Sequence, residues 1–246
     1  MLRKYWQPWF SFNKTLGIAL ILLLGIPRFI IVLHANQTGN YNMIPAIFLM
    51  MILLPFILLT KNGRLQTGIR RPASIKWLLY SFVLGITCCV ILFLLSHWVY
   101  GNTIRNPFEY ISRSYPVSKE GIAYSDKLIF FIIYAIIGMT FSPFGEELFY
   151  RGLVHDSLAA DYSDKKASIA DSAAFALTHL AHFGIVYNTG RLEFLLFPSL
   201  VWLTGIFIAG RLFYYCRRKT GSIFGAISAH AGFNLAMMYL IFYYIF

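Results

Sequence analysis

Two adjacent acids, Glu146 and Glu147, close an apolar block, and a base, Arg151, follows four residues after the second. On a helix Glu147 and Arg151 share a face, so their pairing neutralises one carboxylate. Glu146 points about 100° away and has no partner nearby in the sequence. Two such acids beside apolar sequence suggest one structural and one chemical role. A carboxylate in a low-dielectric site holds its proton more tightly and becomes a better base near neutral pH. The plainer reading is a helix end whose charges snorkel to the interface.

Two more polar clusters interrupt apolar sequence. Phe175 and His179 are one helical turn apart in the block 169–187, so the ring can pack against the imidazole. His179 lies about ten residues, or ~15 Å, along that block. His230 and Asn234 are also one turn apart and share a face, with His230 ~14 Å from the nearer end of its block. An imidazole and a carboxamide so placed can both donate to one oxygen, as a side-chain oxyanion hole requires. Taken singly, each cluster also reads as interhelical hydrogen bonding. Together they match amide hydrolysis by activated water, with Glu146 and His179 polarising the water and His230 and Asn234 receiving the oxyanion. Neither Gly-x-Ser-x-Gly nor His-Glu-x-x-His occurs, and Ser172 and Ser228 read as packing residues.

The elements that must position these groups are membrane helices. Of 246 residues 58% are hydrophobic and 13% charged, against roughly half and a quarter in soluble domains. That excludes a disordered chain, a collagen-like chain and an ordinary soluble enzyme. Seven apolar blocks approach the ~20 residues of a spanning helix: 16–35, 42–60, 77–99, 128–148, 169–187, 194–215 and 221–245. None alternates with period two over strand lengths, which argues against a transmembrane barrel. The expected fold is an all-α polytopic helix bundle of seven spans forming a single integral domain, 1–246, with the three clusters in 128–246. The first block follows Arg3, Lys4 and Lys14 like a signal peptide. Pro27-Arg28 interrupts it and no small-x-small cleavage site follows, so it reads as a retained helix. The net charge of +11 does not indicate nucleic acid, because the bases flank apolar blocks. Cys88, Cys89 and Cys216 read as buried thiols.

Basic residues orient the bundle. The amino end, the segment 61–76 (Lys61, Arg64, Arg70, Arg71, Lys76), Lys165-Lys166 and Arg217-Arg218-Lys219 alternate with loops in which Arg105, Arg113, Lys119, Lys127 and Arg191 are diluted by Glu109, Glu120, Asp126 and Glu193. The positive-inside rule then puts the amino terminus in the cytosol and the carboxyl terminus outside.

Glu146-Glu147-x-x-x-Arg151, Phe175-x-x-x-His179 and His230-x-x-x-Asn234, in this order on separate blocks, resemble the CPBP (CAAX protease and bacteriocin-processing, or Abi) family. The resemblance covers about 110 residues, from block four to the carboxyl end. It implies an intramembrane glutamic endopeptidase, with Glu146 and His179 activating water, Glu147 paired with Arg151, and His230 and Asn234 forming the oxyanion hole. Eukaryotic CAAX members usually have eight spans, one more than counted here. The short chain and loops look bacterial. That points to a plasma-membrane protein acting on a peptide or lipid-anchored precursor, such as a bacteriocin or pheromone, with membrane lipids as its other partners. The resemblance implies no cofactor. A Zn²⁺ version held by Glu146, His179 and His230 has suitable ligand types but is not favoured, because Asn234 suits hydrogen bonding. Two rival functions compete with the peptidase: a non-enzymatic immunity factor or scaffold, and a proton-coupled transporter. No internal repeat supports the transporter. The sequence leaves oligomeric state and cleavage specificity open.

Overall fold

The structure, a computed structural model, describes residues 1–115, 117 and 124–246. Lys119 and Glu120, two of the loop charges, lie outside the described residues. The chain begins with α1 (Lys14–Thr38), α2 (Ile44–Leu58), α3 (Lys61–Gln66), α4 (Ile75–Tyr100) and α5 (Pro107–Ser112). Then α6 (Tyr124–Glu146) passes without a break into a π-helical segment, Glu147–Val154, and into α7 (His155–Ala159). Next comes α8 (Asp164–Thr178), ended by a 3₁₀ turn at His179–Ala181. The strands β1 (Ile185–Asn188) and β2 (Arg191–Phe194) form a small antiparallel hairpin. Finally α9 (Leu196–Thr220) and α10 (Ile223–Leu240) complete the bundle, α10 ending in a π-helical turn at Ile241–Ile245.

Among the described residues five helical stretches are long and apolar enough to cross a bilayer: Lys14–Thr38, Ile75–Tyr100, Asp126–Ala159, Leu196–Thr220 and Ile223–Ile245. The molecule is therefore an all-α polytopic membrane bundle, but not one of seven full spans. Block two is α2, whose 15 residues extend only ~22 Å at 1.5 Å per residue, short of the ~30 Å hydrocarbon core. Block five fails for a different reason. Its helix starts early, among Asp164, Lys165 and Lys166, carries Asp171 and stops at Thr178. The apolar sequence that follows belongs to the 3₁₀ turn and to β1, and Gly184, at φ 120°, turns the chain between them. A short apolar run reads the same whether helix or strand buries it. His179 therefore caps α8 instead of sitting inside a span.

The bundle closes around α10, which packs against α4, α6 and α9, while α1 packs against α2, α7, α8 and the π-helical segment. Close approach of α4 and α10 depends on absent side chains. A Cβ at Gly85 would stand 1.8 Å from the Ala229 carbonyl oxygen, and one at Gly232 2.1 Å from that of Phe82. Small residues give membrane helices such contact where no hydrophobic force between helices is available.

At one end of the bundle four segments meet. Arg3 donates its backbone N–H to Leu58 O (2.9 Å), Thr60 to Met1 O (3.0 Å), Ala73 to Thr220 O (2.9 Å) and Ile223 to Gly68 O (2.8 Å). The exposed bases Lys61, Arg70, Arg71, Lys76, Arg218 and Lys219 gather there with the amino terminus, and the carboxyl end of α10 lies at the opposite end.

Candidate active site

Glu146 is the last residue of α6 and has no solvent exposure. One carboxylate oxygen, Oε1, accepts from Arg28 Nη2, a side chain contributed by α1 from 118 positions earlier. Arg28 Nη1 also donates to Thr178 Oγ1 (2.6 Å), and Nη2 stands 3.4 Å from His182 Nε2. Glycines make the contact possible. A Cβ at Gly145 would lie 3.0 Å from the Phe48 carbonyl oxygen of α2, and one at Gly25, one turn before Arg28, 3.3 Å from Thr178 Cγ2. The second oxygen, Oε2, has no hydrogen-bond partner among the described residues and faces His230 Nε2 at 3.7 Å, too long for a hydrogen bond.

Glu147 begins the π-helical segment, a wider turn of the kind often found at functional sites. Its Oε1 accepts from Arg151 Nη1 (3.2 Å) and from His230 Nδ1 (2.8 Å). The expected pairing of Glu147 with Arg151 is present, and one imidazole of α10 joins it. The Arg151 guanidinium lies 4.1 Å from the centre of the Phe175 ring and 3.8 Å from Asp171 Oδ1. Gly210 leaves it room, since a Cβ there would approach Nη2 to 2.5 Å. Behind Asp171 stands His155, with Nδ1 2.7 Å from Asp171 Oδ2 and Nε2 3.1 Å from Asp164 Oδ1. Asp164 is the outermost member. Burial pushes its carboxyl up, but hydrogen bonds from Tyr214 and His155 and the charge of Arg218 outweigh that and hold it below the usual carboxylate range.

The motif residues converge from three helices. His179 Nδ1 lies 2.7 Å from the Phe175 carbonyl, which can only accept, so Nδ1 carries the hydrogen and the neutral ring keeps its lone pair on Nε2. Phe175 packs on that imidazole with centroids 4.4 Å apart, and Trp202 Nε1 donates to the His179 carbonyl (3.0 Å). The His182 ring lies tilted beside that of His179, with centroids 5.3 Å apart. The His230 ring is held flat against Phe213 (4.8 Å, 14° between planes). Asn234 is engaged elsewhere: its Nδ2 donates to the Gly138 carbonyl of α6 at 2.8 Å, tying α10 to α6. Ser172 bonds Asp171 (3.2 Å) and Ser228 bonds the Leu78 carbonyl (2.8 Å).

Among the described residues no three His, Cys, Asp or Glu side chains gather as a metal-ligand set. The arrangement of Glu146, His179 and His230 thus lends no support to the zinc version. The cysteines are free thiols, Cys89 and Cys216 buried and Cys88 half-buried.

Four residues of the cluster have no role legible in the sequence alone. Arg28 stands out only as a charge within an apolar block, the signal that singles out intramembrane function. His182 stands out as a polar neighbour of His179. His155 lies in a polar stretch that passes for interfacial sequence and Asp171 near the start of block five, and only the fold brings them behind Arg151.

One family model matches the chain, over residues 127–236, and its description reads type II CAAX prenyl endopeptidase Rce1-like. No curated protein and no solved structure matches. The matched segment holds Glu146, Glu147, Arg151, Phe175, His179, His230 and Asn234, but not Arg28. Residues 127–236 thus form a CAAX-protease-like domain, which holds a buried cluster of carboxylates, imidazoles and the Arg151 guanidinium.

Proposed function

We propose that the protein is an intramembrane endopeptidase that hydrolyses a peptide bond in a membrane-associated peptide or lipid-anchored precursor. The observation that carries this reading is Glu146: a carboxylate without solvent exposure, with one oxygen free of hydrogen bonds to the described residues, set among imidazoles in a CAAX-protease-like domain. A buried carboxylate needs a strong reason in a membrane protein, and proton transfer is one. Glu146 Oε2 takes a proton from water, and the Nε2 lone pair of His179 orients that water. The water oxygen attacks the carbonyl carbon, and Glu146 returns the proton to the leaving amine. His230, fixed by Glu147, and the second amide hydrogen of Asn234 face the developing charge. His230 donates there only as imidazolium, because Nδ1 already binds Glu147.

The gathering of exposed bases beside the amino terminus supports a cytosolic location for that end, with the carboxyl terminus outside. A bacterial plasma membrane and a secreted-peptide precursor, as in the CPBP family, fit the short loops. The test is comparative peptidomics of cells producing the wild-type protein or Glu146→Gln. Peptides ending at a common bond are expected in the first and absent from the second. Identical peptide sets would remove the peptidase reading.

A further inference from the structure

We propose that Arg28 of α1 is a catalytic residue of this site, the one that carries the oxyanion charge; the inference rests on the peptidase reading above. The donor pair on α10 is short of free hydrogens. His230 has Nδ1 bound to Glu147, and Asn234 has one amide hydrogen bound to Gly138. Arg28 is differently placed. A guanidinium has five N–H donors and is charged at every relevant pH. One goes to Thr178, one to Glu146 and one reaches toward His182. Two remain. Arg28 also lines a small crevice between α1 and α2, formed with Val32, Ile47, Phe48 and His182, which has room for about one water molecule. Among the described residues no other buried guanidinium or ammonium lies on the Glu146 side of the acid pair: Arg151 is on the Glu147 side, 3.2 Å from that carboxylate.

The same contacts describe the chemical step. Water loses a proton to Glu146 as its oxygen bonds the scissile carbonyl carbon. The carbonyl π pair moves onto oxygen, and the guanidinium donates to that oxygen while still touching Glu146 Oε1. As negative charge leaves Glu146, now protonated, it appears on the oxyanion, so Arg28 keeps one counter-charge throughout. The C–N bond then breaks, the pair goes to nitrogen, and Glu146 gives up its proton there. The carbonyl re-forms as the nitrogen leaves, and the products are one carboxylic acid and one amine, which become carboxylate and ammonium by proton exchange, with the water consumed. A cation preorganised in a dry site needs little reorganisation as the charge moves, which is where such donors act most strongly.

The experiment uses the full-length protein in detergent and an internally quenched peptide spanning a bond that the wild type cuts and Glu146→Gln does not. Arg28→Lys keeps a charge but not the planar fork; Arg28→Ala removes both. The expected result is a loss of at least about 100-fold in kcat for both variants, with KM within about threefold. Methylguanidinium added to Arg28→Ala should restore at least about tenfold, and thermal unfolding should show a folded protein. Should Arg28→Ala fail to fold, Arg28→Lys decides. Either folded variant retaining kcat within about threefold overturns the inference, as does a folded, inactive Arg28→Ala that methylguanidinium leaves unchanged. Those outcomes leave the peptidase reading intact. A wild-type protein that yields no cut bond removes that reading first and the inference with it.

Discussion

Glu146 and Glu147 are chain neighbours and equally buried, yet their surroundings differ. Glu147 is held by Arg151, four residues away, and by His230, and Arg151 is backed in turn by Asp171 and His155. Glu146 is held by a residue 118 positions away, and that residue lines a small crevice between α1 and α2. The first arrangement draws its members from the π-helical segment, α7, α8 and α10. The second depends on the amino-terminal helix; Oε2 of each acid lacks a hydrogen-bond partner among the described residues. Adjacent identical side chains thus end up with different partners, because a shift of one residue rotates them by about 100°.

The sharpest way to break that contrast is to substitute each acid in turn. Glu146→Gln keeps shape and burial but cannot accept a proton, and cleavage should fall by roughly 10²–10⁴ or more. Glu147→Gln should lose stability before it loses chemistry, visible as a lower melting temperature with residual turnover per folded molecule. Equal turnover losses in two equally stable variants would erase the distinction.

Arg151→Ala comes next in size. It strands two buried carboxylates, Glu147 and Asp171, and removing one partner from a buried pair costs about 3–5 kcal/mol. The loss should appear in denaturant unfolding and in yield. An unchanged unfolding midpoint would show that the pairing bears no load.

The Arg28 contact can be isolated by a double-mutant cycle. Arg28→Gln alone and Glu146→Gln alone each leave a buried charge, whereas the double variant leaves none. The double loss should be smaller than the sum of the single losses by about 1–3 kcal/mol. Strict additivity in unfolding free energy would mean that the two side chains do not interact.

Much of the domain bearing the acid pair was legible in the sequence, and the reasons are physical. Helical spacing carries information about side chains three or four apart, so Glu147 with Arg151 and Phe175 with His179 could be paired on paper. The same rule placed His230 beside Asn234, but it says nothing of which carbonyl a neighbouring helix presents, and Gly138 of α6 takes the Asn234 amide. Spacing is silent about partners on other elements. Arg28, 118 residues from Glu146, could be noticed only as an expensive charge in an apolar helix. Span counting failed where polarity and apolar length conflict. The sequence 164–187 contains enough apolar residues for a span, yet Asp164 and Asp171 are recruited to the His155 network and the last third becomes a turn and a strand.

The smallest expected effect probes where the closed cluster meets solvent. Asp164 is half-exposed, so its contacts with His155 and Arg218 are screened, and Asp164→Asn should cost less than about 1 kcal/mol at pH 6. Its pH dependence has a definite sign. The folded-state carboxyl lies below its unfolded value, so the native state binds fewer protons than the unfolded state at intermediate pH, and the contribution is complete above about pH 4. It fades as the pH falls through the lowered folded value, because both states are then protonated. Asparagine does not titrate. The gap in melting temperature between wild type and variant should therefore close as the pH falls from about 4 through the lowered folded value. A gap of constant size across that range would mean that Asp164 acts by packing, and that the His155 network ends at Asp171 instead of reaching the surface.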